Sequence, residues 1–149
     1  MNSTAVSSDD VITFRVGSQW FGIGVLDVQE VIGPQRIARV PLAAPYIGGL
    51  LNLRGQIVTA IDMHEKLEIS RDPDDSLMNV VVRDGEELFA LLVDEVGDVV
   101  TVPLDGLESL PAGLAGDWGR ICAGVVRKDF GLLAILHTTH LLDETSTRP

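Results

Sequence analysis

Apolar side chains recur at every second position in short runs, and turn-forming residues end each run before it can grow long. Ile12, Phe14 and Val16 alternate with Thr13 and Arg15, as on a strand with one buried face. Gly17-Ser18 supplies a reversal, after which Phe21, Ile23 and Val25 resume the alternation; this predicts a hairpin. Gly48-Gly49 leads into Leu50–Arg54, and Gly55 allows a tight reversal into Ile57–Ile61. Further on, Met78–Arg83 and Glu87–Val93 flank Asp84-Gly85, a dipeptide suited to a type I′ turn. Asp94–Val102 follows, with a bulge or turn at Gly97-Asp98, and Ile121–Arg127 meets Phe130–Leu136 across Lys128-Asp129. The fold class is all-β.

Helical signals are few and short. Asp27-Val28-Gln29-Glu30 has the spacing of a capping box, and Val28, Val31 and Ile32 fall at i, i+3 and i+4 before Gly33-Pro34. This predicts a one- to two-turn helix. Asp62 and Glu65 repeat the spacing before a second helix ending near Leu67, and Thr138–Leu142 reads as a third. A short strand is expected at Ile37–Val40, a loop between Pro41 and Pro45, and a longer loop over Pro103–Gly119. Trp20 and Phe21 are adjacent, so either one ring faces outward or both enter the core.

About ten short strands with little helix fit a pair of small barrels better than one sandwich. The polar run Arg71-Asp72-Pro73-Asp74-Asp75-Ser76 reads as the boundary between two lobes. The expected organisation is a flexible start at 1–10, a domain at 11–142 and a flexible end at 143–149. Lobe 1 is placed at 11–70 with 137–142 nearby, and lobe 2 at 76–136. Each half, at ~60–70 residues, is near the lower limit for folding alone, so a shared apolar interface is expected.

Charge and composition remove several classes. A net charge of -11 argues against nucleic acid, which needs clustered Lys and Arg, and against an anionic membrane surface. The apolar runs Leu88–Val93 and Gly131–Leu136 fall short of the roughly 20 residues that cross a bilayer. Met1–Asp10 is polar, without a basic segment or apolar signal core, and the lone Cys122 allows no internal disulfide; a cytoplasmic protein is expected.

No catalytic constellation stands out. His137 and His140 are spaced i, i+3, with His64 distant in sequence, and two histidines fall short of a zinc ligand set. Gly22 and Gly24 alternate within a strand, not in a phosphate-cradling loop, and Ser3–Ser8 has no catalytic surroundings. No cofactor or metal is expected. Cys122, among alternating apolar residues, reads as a small buried hydrophobe.

Several segments together resemble the CheW family, from about Val11 to Leu142. They are Val28-Gln29-Glu30-Val31-Ile32, Gly49-Leu50-Leu51-Asn52-Leu53-Arg54-Gly55, Ile57-Val58-Thr59-Ala60-Ile61-Asp62 and Leu92-Val93-Asp94-Glu95-Val96. Asn52-Leu53-Arg54-Gly55 is the most specific of them. The ending Ile135-Leu136-His137 departs from the family pattern, and Gly113–Trp118 carries no family signature.

The resemblance implies two interlocking five-stranded SH3-like barrels. It also implies a non-catalytic bridge between the cytoplasmic tip of a methyl-accepting receptor and the regulatory domain of the CheA kinase, which shares the fold. Self-association in array rings is a further implied partner mode. The 149 residues leave no room for a kinase or receiver domain, which favours a free-standing adaptor. On the same basis Val28, Glu30, Gly49, Asn52, Arg54 and Gly55 are the expected receptor-binding residues; kinase-contact residues are not assigned.

From the residues themselves, Arg54 suits a partner carboxylate or an internal ion pair with Glu30, and both readings stand. Val28 suits core or groove. Gly49 suits a close backbone approach or an unusual backbone angle. The competing reading is a small-molecule-binding β-barrel, which a deep closed pocket would favour. An enzyme comes third.

Overall fold

The computed structural model describes residues 8–71, 76–111 and 118–142. Its strands are β1 (Ser8–Val16), β2 (Gln19–Gly24), β3 (Val28–Ile32), β4 (Ile47–Leu53), β5 (Gln56–Asp62), β6 (Met78–Asp84), β7 (Glu87–Val93), β8 (Glu95–Pro103), β9 (Cys122–Lys128) and β10 (Gly131–Leu136). Short helices are α1 (Met63–Leu67), α2 (Trp118–Ile121) and α3 (Thr138–Leu142). The strands form two five-stranded sheets, ordered β8-β1-β2-β10-β9 and β3-β6-β7-β5-β4. Neighbours run antiparallel except β2 with β10 and β5 with β7.

Both sheets follow one plan, with the chain entering at different points. In the second sheet the chain makes an outer strand (β3), a hairpin (β4–β5), a helix (α1) and a second hairpin (β6–β7). In the first, β8, the β9–β10 hairpin and α3 come in the same order, and the remaining hairpin, β1–β2, is supplied by the start of the chain. The chain therefore leaves the first lobe after β2, builds all of the second, and returns at β8. This corrects the division into consecutive lobes at 11–70 and 76–136: α1 and β6, on either side of the expected boundary, both belong to the second lobe, and β8–β10 to the first. Residues 8–10, expected to be flexible, belong to β1, where Ser8 faces Pro103 and Asp10 faces Thr101. The expectations for 1–7 and 143–149 lie outside the described residues.

Period-two alternation sorts side chains between three cores. On β7, Phe89, Leu91 and Val93 join a large cluster shared by both lobes, while Leu88, Ala90 and Leu92 fill the interior of the second lobe. On β10, Ala134 and Leu136 face the shared cluster, and Leu133 and Ile135 fill the first lobe with Val11 and Val102. Phe14, Phe21 and Ile23 meet Ile61, Val80 and Val82 across the shared core, which Trp118, Leu141 and Leu142 complete. Phe21 is buried, whereas Trp20 is half-buried and packs on the other face of β2.

The expected helix at Val28–Ile32 is strand β3. Its five residues would be too few for a self-supporting helix, three of them are β-branched, and β6 offers backbone partners. Asp27, the expected cap, instead accepts a hydrogen bond from the Thr138 hydroxyl at 2.8 Å. The strand expected at Ile37–Val40 reduces to a single bridge, Ala38 with Leu50. The β6–β7 turn centres on Gly85-Glu86 and has positive φ only at Gly85, a type II′ pattern in place of the expected I′. The expected bulge at Gly97-Asp98 is present, as a register shift opposite Thr13. Asp62 caps α1 as expected, accepting from the His64 and Glu65 amides. Helix α2 falls at the end of the stretch expected to be loop.

Cys122 opens β9 within the shared core, and burial pushes its thiol up to about 11. Thiolate, the reactive form, is then scarce at neutral pH. The native protein should resist a thiol reagent at about pH 8 and react fully once unfolded in denaturant. Fast stoichiometric labelling of the native protein would contradict this placement.

Candidate partner-binding site

The β4–β5 hairpin reverses through Arg54-Gly55, with Leu53 opposite Gln56. Both turn residues have positive φ, 51° at Arg54 and 87° at Gly55, as a type I′ turn demands. The Asn52 side-chain oxygen accepts the Gly55 N–H at 2.8 Å and helps hold the bend. Glycine suits such angles; arginine there costs about 1–2 kcal/mol relative to a residue without a Cβ. The Arg54 side chain is 67% exposed, so packing does not require it. A strained residue that the fold does not need points toward function.

Glu30 lies on β3, at the sheet edge opposite β4, yet its carboxylate pairs with the Arg54 guanidinium. The sheet therefore curls until its edges meet. Ala38 completes this seam by exchanging two 2.8 Å backbone hydrogen bonds with Leu50. Gly49 lies beneath it with φ +141°, and a Cβ there would sit 2.3 Å from the Ala38 carbonyl oxygen. Its role is steric. Glu30, Asn52, Arg54 and Gly55 thus gather at one exposed seam, with Gly49 supporting it. Val28 does not join them, because it is half-buried against the shared core.

The first lobe repeats the seam, which no sequence reading identified. Glu108 exchanges two 2.9 Å backbone hydrogen bonds with Val125, and a Cβ on Gly124 (φ +157°) would lie 2.7 Å from the Glu108 carbonyl oxygen. The available signal was a shared pattern, Gly49-Leu50-Leu51 and Gly124-Val125-Val126. At the tip of the β9–β10 hairpin, Phe130 is 50% exposed and its ring centre lies 5.5 Å from that of Trp20. Arg127, paired with Glu108, and Lys128 lie beside it. In the loop between β3 and β4, Leu42 combines φ 65° with a fully exposed side chain. A single exposed apolar residue carries no sequence signal, so these were missed.

Each lobe's interior is filled by its own apolar cluster, and the surface clefts are open to solvent. Among the described residues, neither is the deep closed pocket that a small-molecule barrel would need. One cleft of about 470 Å³ is lined by His137, His140, Asp9 and Asp27. The two imidazoles lie 4.6 Å apart, centre to centre, and burial together with His140 lowers the pKa of His137 below its ordinary value. Among the described residues no group of three or more His, Cys, Asp or Glu is placed to hold a metal. No helix among them is long and apolar enough to cross a membrane.

Known proteins resemble this chain in sequence, and one solved structure resembles it in fold. The chemotaxis protein CheW of Bacillus subtilis is 28% identical over 149 residues, spanning 99% of this chain and 96% of that protein. The chemotaxis protein CheW of Rhizobium meliloti is 30% identical over 112 residues, spanning 74% and 72%. The crystal structure of the scaffolding protein TtCheW from Thermoanaerobacter tengcongensis superposes with a TM-score of 0.79 at 23% identity, over 91% of this chain and 92% of that one, a likeness of fold. Residues 10–146 match the family model of the CheW-like domain, and the chain belongs to that family.

Proposed function

We propose that this chain is a non-catalytic adaptor that couples methyl-accepting chemoreceptors to a CheA-type histidine kinase within a cytoplasmic signalling array. The family match over residues 10–146 carries this reading. The receptor's cytoplasmic tip docks at the seam of the second lobe. There Glu30 holds Arg54 in a fixed pose, so the guanidinium loses little freedom on meeting a partner carboxylate or a row of carbonyls. Asn52, Gly55 and Gly49 act through the shape of the hairpin, and Val28 acts through packing beneath β3.

The regulatory domain of the kinase docks on the first lobe, at Phe130 and Trp20. An exposed aromatic backed by a second ring, with Arg127, Lys128 and Asp129 beside it, is an apolar patch with a mixed-charge rim. Since the kinase domain shares the fold, the same patch serves self-association in rings. Purified protein should co-sediment separately with a receptor-tip fragment and with the kinase; binding to neither overturns the proposal. Phe130→Asp should weaken kinase binding by about tenfold or more while leaving receptor-tip binding unchanged. Equal loss of both, or of neither, would remove the patch from the kinase interface.

A further inference from the structure

Strand hydrogen bonds stay within each sheet, and the contact between lobes is mostly apolar. Apolar burial is non-directional and does not by itself fix an angle. One directional contact is the Trp118 indole N–H, which donates to the Leu67 carbonyl of α1 at 2.9 Å; a second group lies where β7 hands over to β8. Asp94 sits at that crossover, and one of its oxygens, Oδ2, accepts from both lobes. It takes the Gly17 N–H of the β1–β2 turn at 2.6 Å and faces His64 Nε2 of α1 at 2.9 Å. A carboxylate only accepts, so Nε2 carries the proton. The Asp94 N–H also donates to the Arg15 carbonyl at 2.9 Å. The turn is pressed close: a Cβ on Gly17 would lie 2.5 Å from Ile69 Cγ2, just beyond α1.

Both side chains are more than nine-tenths buried, and His64 Nδ1 and Asp94 Oδ1 have no hydrogen-bond partner among the described residues. An apolar pair in this place would remove the two unpaired side-chain atoms and would leave the Gly17 N–H without its acceptor, so the pair is held by the directional bonds it makes and not by burial. What the polar pair adds is direction.

We propose that Asp94 and His64 form a latch between the lobes. They are positioning residues that fix the inter-lobe angle and so pass a change at the receptor seam to the kinase-facing surface. This rests on the adaptor reading above. Spin labels on Glu86→Cys in the second lobe and Asp105→Cys in the first report the angle, because both positions are exposed and Cys122 is buried.

His64→Leu should broaden the distance distribution and lower receptor-dependent kinase activation about tenfold, with receptor-tip affinity unchanged. His64→Gln, whose amide N–H replaces Nε2–H, should restore both. An unchanged distribution in His64→Leu, full activation despite a broad one, or failure of His64→Gln to rescue would overturn the latch. If His64→Leu does not fold, His64→Asn, too short to reach Asp94, takes its place. The distance measurement needs neither receptor nor kinase, so failure of the adaptor reading would show separately, as a wild-type chain that couples nothing.

Discussion

Arg54→Glu is expected to abolish receptor-dependent activation of the kinase while the chain still folds. The fold has little stake in this side chain. The guanidinium is two-thirds exposed, and an exposed ion pair of this kind contributes about 0–1 kcal/mol. Reversal sets two carboxylates against each other across the seam, a repulsion of similar size that solvent screens. Either residue bears the same positive φ, so the turn is no more strained than before. The melting temperature should fall by no more than about 5 °C. Coupling should fall by about tenfold or more, because a charge meant for an acceptor would be replaced by one that repels it. Thermal melts beside a reconstituted kinase assay check both halves. Unchanged activation would take Arg54 out of the interface, and unfolding would assign it to the seam alone.

The charge swap Glu30→Arg with Arg54→Glu separates the two roles further. It restores an ion pair across the seam with the signs exchanged. If Arg54 acts only by closing the sheet, the swap recovers activity; if its guanidinium meets the partner, activity stays lost although the pair is back.

What the sequence revealed and what it hid follow from how local each feature is. Hairpins were legible because alternation and turn residues lie within a few positions of each other, as at Leu50–Ile61. The α1 cap was legible because Asp62 reaches amides only two and three residues ahead. Strand β3 was misread because Val28 and Ile32 share a face in a helix and in a strand alike, and Val31, which faces outward on the strand, completed the helical pattern; the edge of β6, some fifty residues on, decided between them. The lobes were divided wrongly for a similar reason. A polar run marks a loop, but it cannot show that β1 and β2 pair with strands from the far end of the chain. At the candidate seam, Arg54, Glu30 and Gly55 were singled out through the family motif, and Arg54 and Glu30 form the internal ion pair that was one of the two open readings. Val28 carried the same signal and lies inward.

Gly49→Ala and Gly124→Ala should each lower stability by about 2–4 kcal/mol, which in a chain of this length is about 5–15 °C in melting temperature. Both glycines have φ in the region that disfavours side chains, and both face a backbone carbonyl at a distance no Cβ can occupy. Neither oxygen can move freely, since each belongs to a residue joined to the seam by two backbone hydrogen bonds. Gly55→Ala is the control: its φ is also positive but the space around it is open, so only the backbone penalty of about 1–2 kcal/mol remains. Denaturant unfolding of the three variants should therefore rank Gly55 well above the other two. Wild-type stability in Gly49→Ala and Gly124→Ala would mean that the bridges at Ala38 and Glu108 do not close the sheets. Function should split the matched pair, because only Gly49 underlies the Arg54 seam. At a temperature where both variants remain folded, Gly49→Ala should impair receptor coupling and Gly124→Ala should not, which separates a site from the fold device it was built on.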